Sequence, residues 1–366
     1  MIGSRAHEVF DAGPEERALA RPRHLAREGR AAEAEMAYRA ALTEQPGLDA
    51  GWIEWFQLLS VEQRWDAALE LAREVQSRGG RSALALTLAG AALGGQGRHR
   101  EGLIELERAI ATDPDFAPVW FEIGRAAFRL GEYARALLAL DRAFALDPGP
   151  ETLYLRGEVL RSAGRYTAAE VAFEGAGQTA ESPEQRLAAD DQIRITRRYA
   201  ALSAGRPDQL GHAERWFAEG GGVPLCRQGQ SLPASDGEIL DGFVRLARSS
   251  GWQFTELRRI DTWNGWADLA AALELPLASE PMEPGAIPLV VAVRPAGADE
   301  AWQQALRMVH GQGRGLIFVL IQPEGDTGAD VAGTFEAMPA SLPDPSLAQL
   351  CARHPESRLR GRVLAP

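Results

Sequence analysis

A chain of 366 residues with 45% hydrophobic content is long enough for two domains and ordinary in its capacity to bury a core. Its net charge of −12 argues against general affinity for nucleic acid or an anionic membrane. All 39 basic residues are arginine, which removes Schiff-base, P-loop and kinase-type lysine chemistry together and fits a bacterial chain from a GC-rich genome.

The two cysteines, Cys226 and Cys351, stand far apart, so neither a disulfide framework nor a cysteine metal site is expected. The first residues lack the apolar core of a signal peptide, and no run approaches the roughly 18 apolar residues that a spanning helix needs. A cytoplasmic protein without a membrane span is the expectation.

Residues 1–14 read as a lead-in, and a helical pattern begins at about residue 15. Residues 15–48 keep Gly29, Ala34, Tyr38, Ala41 and Pro46. Residues 49–82 keep Trp52, Trp55, Trp65, Ala68 and Ala72 but close on Gly79-Gly80 instead of proline. A third segment runs from Ala83 to about Phe116, and a fourth from Ala117 to Pro148. The fourth is the clearest: two amphipathic helices flank a turn at Gly131, and Gly124 and Ala136 are small where two backbones must approach. A fifth, about 150–183, carries Gly157, Gly164, Tyr166, Ala169 and Phe173. A polar helix from Pro183 to about Gly205 follows as a cap.

The third and fourth segments match at a fixed step. Gly90 to Gly124, Gly97 to Gly131, Gly102 to Ala136, Leu106 to Leu140 and Pro114 to Pro148 are all separated by 34 residues. The period and its Trp/Gly/Tyr/Ala/Pro pattern resemble the tetratricopeptide repeat. The expected architecture is therefore an α-helical solenoid of about five repeats plus a capping helix over residues 15–204.

The period stops at Gly205-Arg206-Pro207, and residues 205–366 read as a small α/β domain with a largely parallel sheet, outside any recognised family. Strands are expected at 223–226, 252–260, 287–293, 315–321 and 358–364; helices at 236–249, 263–275, 298–310 and 345–353. The runs IPLVVAV and GLIFVLI suit strands buried on both faces. Gly220–Gly222 and the glycines between 311 and 315 precede strands, so they read as helix-to-strand turns, not phosphate cradles.

The resemblance implies a groove lined by the first helix of each repeat. Transferred residue by residue, its positions are Arg23 and Arg27, then Ile53 and Gln57, then Leu84, Thr87, Ala91, Gly94 and Gly95. The fourth and fifth repeats add Phe121, Arg125, Phe128, Arg129, Tyr154, Glu158 and Arg161. Such a groove is basic and aromatic inside an acidic protein, and the small third repeat leaves room at its middle. Its arginines suit carboxylates. The Lys/Asn carboxylate clamp of chaperone-binding members is not reproduced.

In the α/β half, strand-end loops place Asp261, Arg294, Glu324 and Asp326 where an open sheet binds ligands, although Asp at such loops is commonly a cap or turn former. The six scattered histidines form no metal-ligand pair, and no catalytic signature is present. No cofactor or metal is expected. The leading reading is a scaffold or adaptor that binds a protein or acidic peptide in the repeat groove, with homo-oligomer formation left open. The alternative is an enzyme or ligand sensor built on the strand-end loops.

Overall fold

The computed structural model describes residues 14–78, 80–202, 205–226, 235–260, 265–278, 285–293, 300–312, 314–322, 328–335 and 343–359. The chain divides into two compact units. One reaches Leu160 and includes residues 178–181; the other holds 161–177 and everything from Ser182 onward.

The first unit is built from helix pairs: α1 (Pro14–Arg27) with α2 (Ala31–Glu44), α3 (Asp49–Val61) with α4 (Trp65–Ser77), α5 (Ser82–Gly95) with α6 (His99–Thr112), and α7 (Ala117–Arg129) with α8 (Tyr133–Leu146). Helix α9 (Pro150–Ser162) begins the fifth pair. Small residues set how closely the members of a pair approach. A Cβ on Gly90 would lie 2.6 Å from Leu106 and 2.9 Å from the Gly102 carbonyl; one on Gly124 would lie 2.7 Å from Leu140. The tryptophans tie each helix start to the turn before it, because the Trp52 and Trp120 indoles donate to the Pro46 and Pro114 carbonyls at 2.9 and 2.8 Å.

The turn inside each pair needs one left-handed residue. Gly29, Gly97 and Gly131 occupy it with φ of 73°, 78° and 75°, but the second pair places Gln63 there at φ 55°. A side chain in this region costs about 1–2 kcal/mol. Gln63 has no glycine's freedom to offset that.

The second unit starts with α10 (Tyr166–Gln178) and α11 (Pro183–Leu202). They pack together through stacked Tyr166 and Tyr199 rings, centroids 6.4 Å apart, and an Arg197–Glu170 hydrogen bond of 2.6 Å. Tyr166 also donates to the Gly205 carbonyl at 2.7 Å, so the segment after α11 is held in place. Then follow α12 (His212–Gly220), β1 (Val223–Pro224), α13 (Asp236–Ser250), β2 (Glu256–Arg259), α14 (Trp266–Leu273), β3 (Pro288–Ala292), α15 (Glu300–Gln312), β4 (Leu316–Gln322), β5 (Val331–Phe335) and α16 (Pro345–Arg353).

The strands form one sheet in the order β1-β5-β4-β3-β2, every neighbouring pair parallel. Strand β3 is buried throughout, and β4 nearly so, as their unbroken apolar sequences require. Phe318 of β4 stacks on Phe243 of α13 with centroids 4.3 Å apart. Gly221, at φ 75°, ends α12, and Gly315, at φ 92°, precedes β4, so both glycine stretches serve helix-to-strand turns.

One expected strand is corrected. Within 358–364, Arg358 and Leu359 form a turn and the remainder lies outside the described residues. The fifth strand is instead 331–335, beside β4. Arg358 is used otherwise: its N–H bonds the Gly221 carbonyl and its guanidinium the Ala329 carbonyl.

Arg198 of α11 joins three parts of this unit. Buried, it donates to the carbonyls of Ala218 (2.8 Å) and Glu219 (3.0 Å), which end α12, and to that of Glu356 (3.0 Å). Burial, with Arg358 beside it, pushes its pKa down to about 10. A Cβ on Gly221 would stand 2.5 Å from this guanidinium, so glycine is required there twice over.

Both Gln63 and Arg198 can be tested by unfolding. Gln63→Gly is expected to stabilise the repeat unit by about 1 kcal/mol in urea, by removing the left-handed penalty. Arg198→Met should destabilise the second unit by about 3 kcal/mol, because a buried charged donor to three carbonyls is lost; an unchanged urea midpoint would rule that role out.

Candidate functional site in the repeat unit

The first helices α5 and α7 lie side by side. Where α5 ends, a cleft of about 390 Å³ opens. Its floor is the backbone at Gly90, Gly94, Gly95 and Gly97. One wall is α7, contributing Glu122, Arg125, Ala126 and Arg129; the others are His99 at the start of α6 and Trp65 at the start of α4.

The floor is glycine for stated reasons. A Cβ on Gly95 would stand 2.3 Å from the Trp65 ring, so the indole lies against bare backbone. At Gly94 the nearest atom would be His99 Nδ1 at 3.9 Å, which leaves that position open. The small residues of the third repeat thus floor a cleft whose walls carry charge.

The charges are unequal in availability. Arg125 pairs with Glu122 at 2.5 Å. Burial pushes the Glu122 carboxyl up, and Arg125 draws it part of the way back. Arg129 is exposed on the last turn of α7. Burial, then Arg129, then Arg125 push the His99 imidazole below its ordinary range. With the Glu122–Arg125 ion pair intact, the cleft's two arginines and one carboxylate sum to one positive charge, and the depressed His99 adds none near neutral pH.

The other groove positions are distributed differently. Arg23 makes a 2.7 Å ion pair with Glu54, which also accepts from the Tyr38 hydroxyl at 3.0 Å. Arg27 is exposed, and its Nε donates to the Arg23 carbonyl at 3.3 Å. Ile53 is half-buried against the core and Gln57 exposed. Phe121 and Phe128 pack against a small cluster around Ala127, Leu140 and Leu155. Tyr154 is half-buried. Arg161 bonds Gln192 and lies over the Phe173 ring at 5.5 Å, within the second unit. Leu84, Thr87 and Ala91 are buried, because α5 packs against neighbours on several sides.

Trp65, His99 and Glu122 belong to the cleft although the groove transfer did not name them. A signal existed for two of them: Trp65, His99, Tyr133 and Tyr166 each open the second helix of a pair. The four strand-end residues, Asp261, Arg294, Glu324 and Asp326, lie outside the described residues. Among the described residues no cluster of three His, Cys, Asp or Glu is placed to hold a metal, and no helix is long and apolar enough to cross a membrane.

Helix pairs stepped by 34 residues, with small residues at each close approach, define a helical-repeat scaffold. The tetratricopeptide repeat model matches residues 87–150 and 121–183, and the helix pairs within 87–183 are tetratricopeptide repeats. No curated protein matches the chain. Among solved structures, it is similar to TTC0263, a thermophilic tetratricopeptide repeat protein of Thermus thermophilus, at 23% identity and TM-score 0.42, over 49% of this chain and 98% of that one. It is also similar to PilW, a type IV pilus biogenesis factor, at 18% identity and TM-score 0.41, over 57% of this chain and 91% of that one. A third similarity is to YrrB, a tetratricopeptide repeat protein with an unusual peptide-binding site, at 16% identity and TM-score 0.31, over 47% and 90% of the two chains.

Burial, Arg129 and Arg125 together depress His99, and Glu122 is the ion-pair partner of Arg125. Glu122→Gln should lower the His99 pKa further, because Arg125 then acts uncompensated; ring-proton NMR over roughly pH 4–8 measures this. An unmoved or raised value would show that Glu122 does not shield the histidine.

Proposed function

We propose that this protein is a protein-interaction scaffold whose repeat unit docks a partner through an acidic segment laid along the first helices. The tetratricopeptide fold supports a scaffold role in general, since stacked repeats present an extended face for recognition. The finer reading rests on one observation: the cleft beside α5 presents Arg129 with a net positive charge inside a protein of net charge −12. Arg27 extends basic character toward the first repeat, whereas Arg23 is already engaged by Glu54. Arg129 is therefore the principal contact and Arg27 an accessory one. The face formed by Ile53 and Gln57 lies between them in the chain and supplies neutral surface. An adaptor acting in the bacterial cytoplasm is the setting this reading favours.

Affinity capture from native lysate with mass spectrometry tests it. Arg129→Glu is expected to lower retention of a specific partner at least about tenfold, since reversal places like charges in contact. Arg142→Glu on α8, where arginine pairs with Asp115 at 2.7 Å, should leave retention unchanged. Equal retention by the folded Arg129→Glu variant and wild type would overturn the groove as the docking face.

A further inference from the structure

His99 occupies the place that Trp65, Tyr133 and Tyr166 hold in the other helix pairs. At this column the chain has exchanged an aromatic ring for one that titrates near neutral pH. The imidazole lines the same cleft as Arg125 and Arg129. From α7 it meets the field of Arg129 and Arg125, with Glu122 lining the same cleft; from α4 it meets the uncharged Trp65; from α5 the glycine backbone. On its own helix Arg98 is paired with Glu101 at 2.5 Å, and Arg100 is adjacent in sequence.

The charge sum decides what the cleft accepts. With the 2.5 Å Glu122–Arg125 ion pair intact the two cancel, so Arg129 leaves one positive charge, which one carboxylate balances. A phosphate dianion would leave one negative charge unless His99 were protonated. We propose that the cleft is a proton-linked carboxylate site: Arg129 receives an aspartate or glutamate side chain of a protein partner, and His99 takes up a proton from solvent as that carboxylate docks. This rests on the groove reading above and adds its regulation.

Without a ligand, burial and the arginine field hold His99 neutral. An incoming carboxylate offsets that field and gives the imidazolium an acceptor, so the protonated form gains. Linkage then requires the reciprocal effect, tighter docking as pH falls. The gain lies between the His99 pKa of the complex above and that of the free protein below; under both it is complete, and over both it vanishes. By the same reasoning, the empty protein gains nothing from protonating His99. Its depressed value means that the histidine's contribution to folding is present above about pH 6.5, the ordinary imidazole value, and is lost as pH falls.

The test follows the His99 ring by NMR from about pH 4 to 8 in the full chain, its signal assigned with His99→Gln. The probe is N-acetyl-glutamate α-methylamide, which carries only the side-chain carboxylate, with ionic strength held constant by chloride. The expected result is an upward move of the His99 titration by about 0.5 pH unit or more in wild type and none in Arg129→Ala. An equal move in Arg129→Ala would overturn the proposal, since the effect would then be general screening. No move while Arg129 resonances still respond to the probe would overturn it as well. A larger move with phenyl phosphate than with N-acetyl-glutamate α-methylamide would overturn the carboxylate assignment in favour of a phosphorylated side chain.

With a captured partner, wild-type affinity should rise from about pH 7.5 to about pH 6 and that of His99→Gln should stay flat. A partner lost in Arg129→Glu but bound by His99→Gln with undiminished pH dependence would end the proton linkage and leave the scaffold reading standing. A His99 response to the probe without any Arg129-sensitive partner would do the reverse.

Discussion

Close approach of helix backbones is the constraint on which the repeat unit depends. Two helices touch at Gly90 and Gly102, where an added Cβ would lie within 3 Å of backbone, and again where Gly124 meets Leu140. Only small residues satisfy such contacts, and the contact must recur at each turn of the array. Sequence period and three-dimensional repetition are therefore the same fact. The cleft is a by-product of the same constraint: α5 is so depleted of side-chain bulk that its end leaves space, and α7 lines that space with charge.

The second unit is organised differently. Its parallel sheet is flanked by helices, as parallel strands require, and its central strands are wholly apolar. Arg198 reaches from α11 to the end of α12 and to the segment near Glu356, so one guanidinium bridges elements far apart in sequence. Tyr166 fastens α10 to residue 205. By these contacts the helices that continue the repeat pattern after Leu160 are built into the α/β unit's own packing.

The repeats were legible because steric need writes a small residue at a fixed step, and β3 and β4 because burial on both faces leaves no polar interruptions. Strand β5 was hidden for opposite reasons. Its sequence VAGTF contains small residues, and residues 323–330, which separate it from β4, are too few to read in the sequence as a helical crossover. The alternating RLRGRVL looked more strand-like than β5 itself, but Arg358 is spent on Gly221 and Ala329. At the site, positions on the first helices led to Arg125, Arg129, Gly94 and Gly95. They did not lead to Trp65 and His99, which approach from second helices, or to Glu122, whose role depends on a pairing that spacing alone does not announce.

The glycines that floor the cleft also shape how the array comes apart. In a stack where each repeat contacts only its neighbours, cooperativity passes through successive interfaces. Helix α5 carries Gly90, Gly94 and Gly95 within 14 residues, each costing roughly 1 kcal/mol of intrinsic helix preference relative to alanine. It is held helical by α4, α6 and α7 more than by its own sequence. The cleft thus coincides with a helix that leans on its neighbours, and a ligand of the proposed kind, seated there, would brace α5 and α7 together.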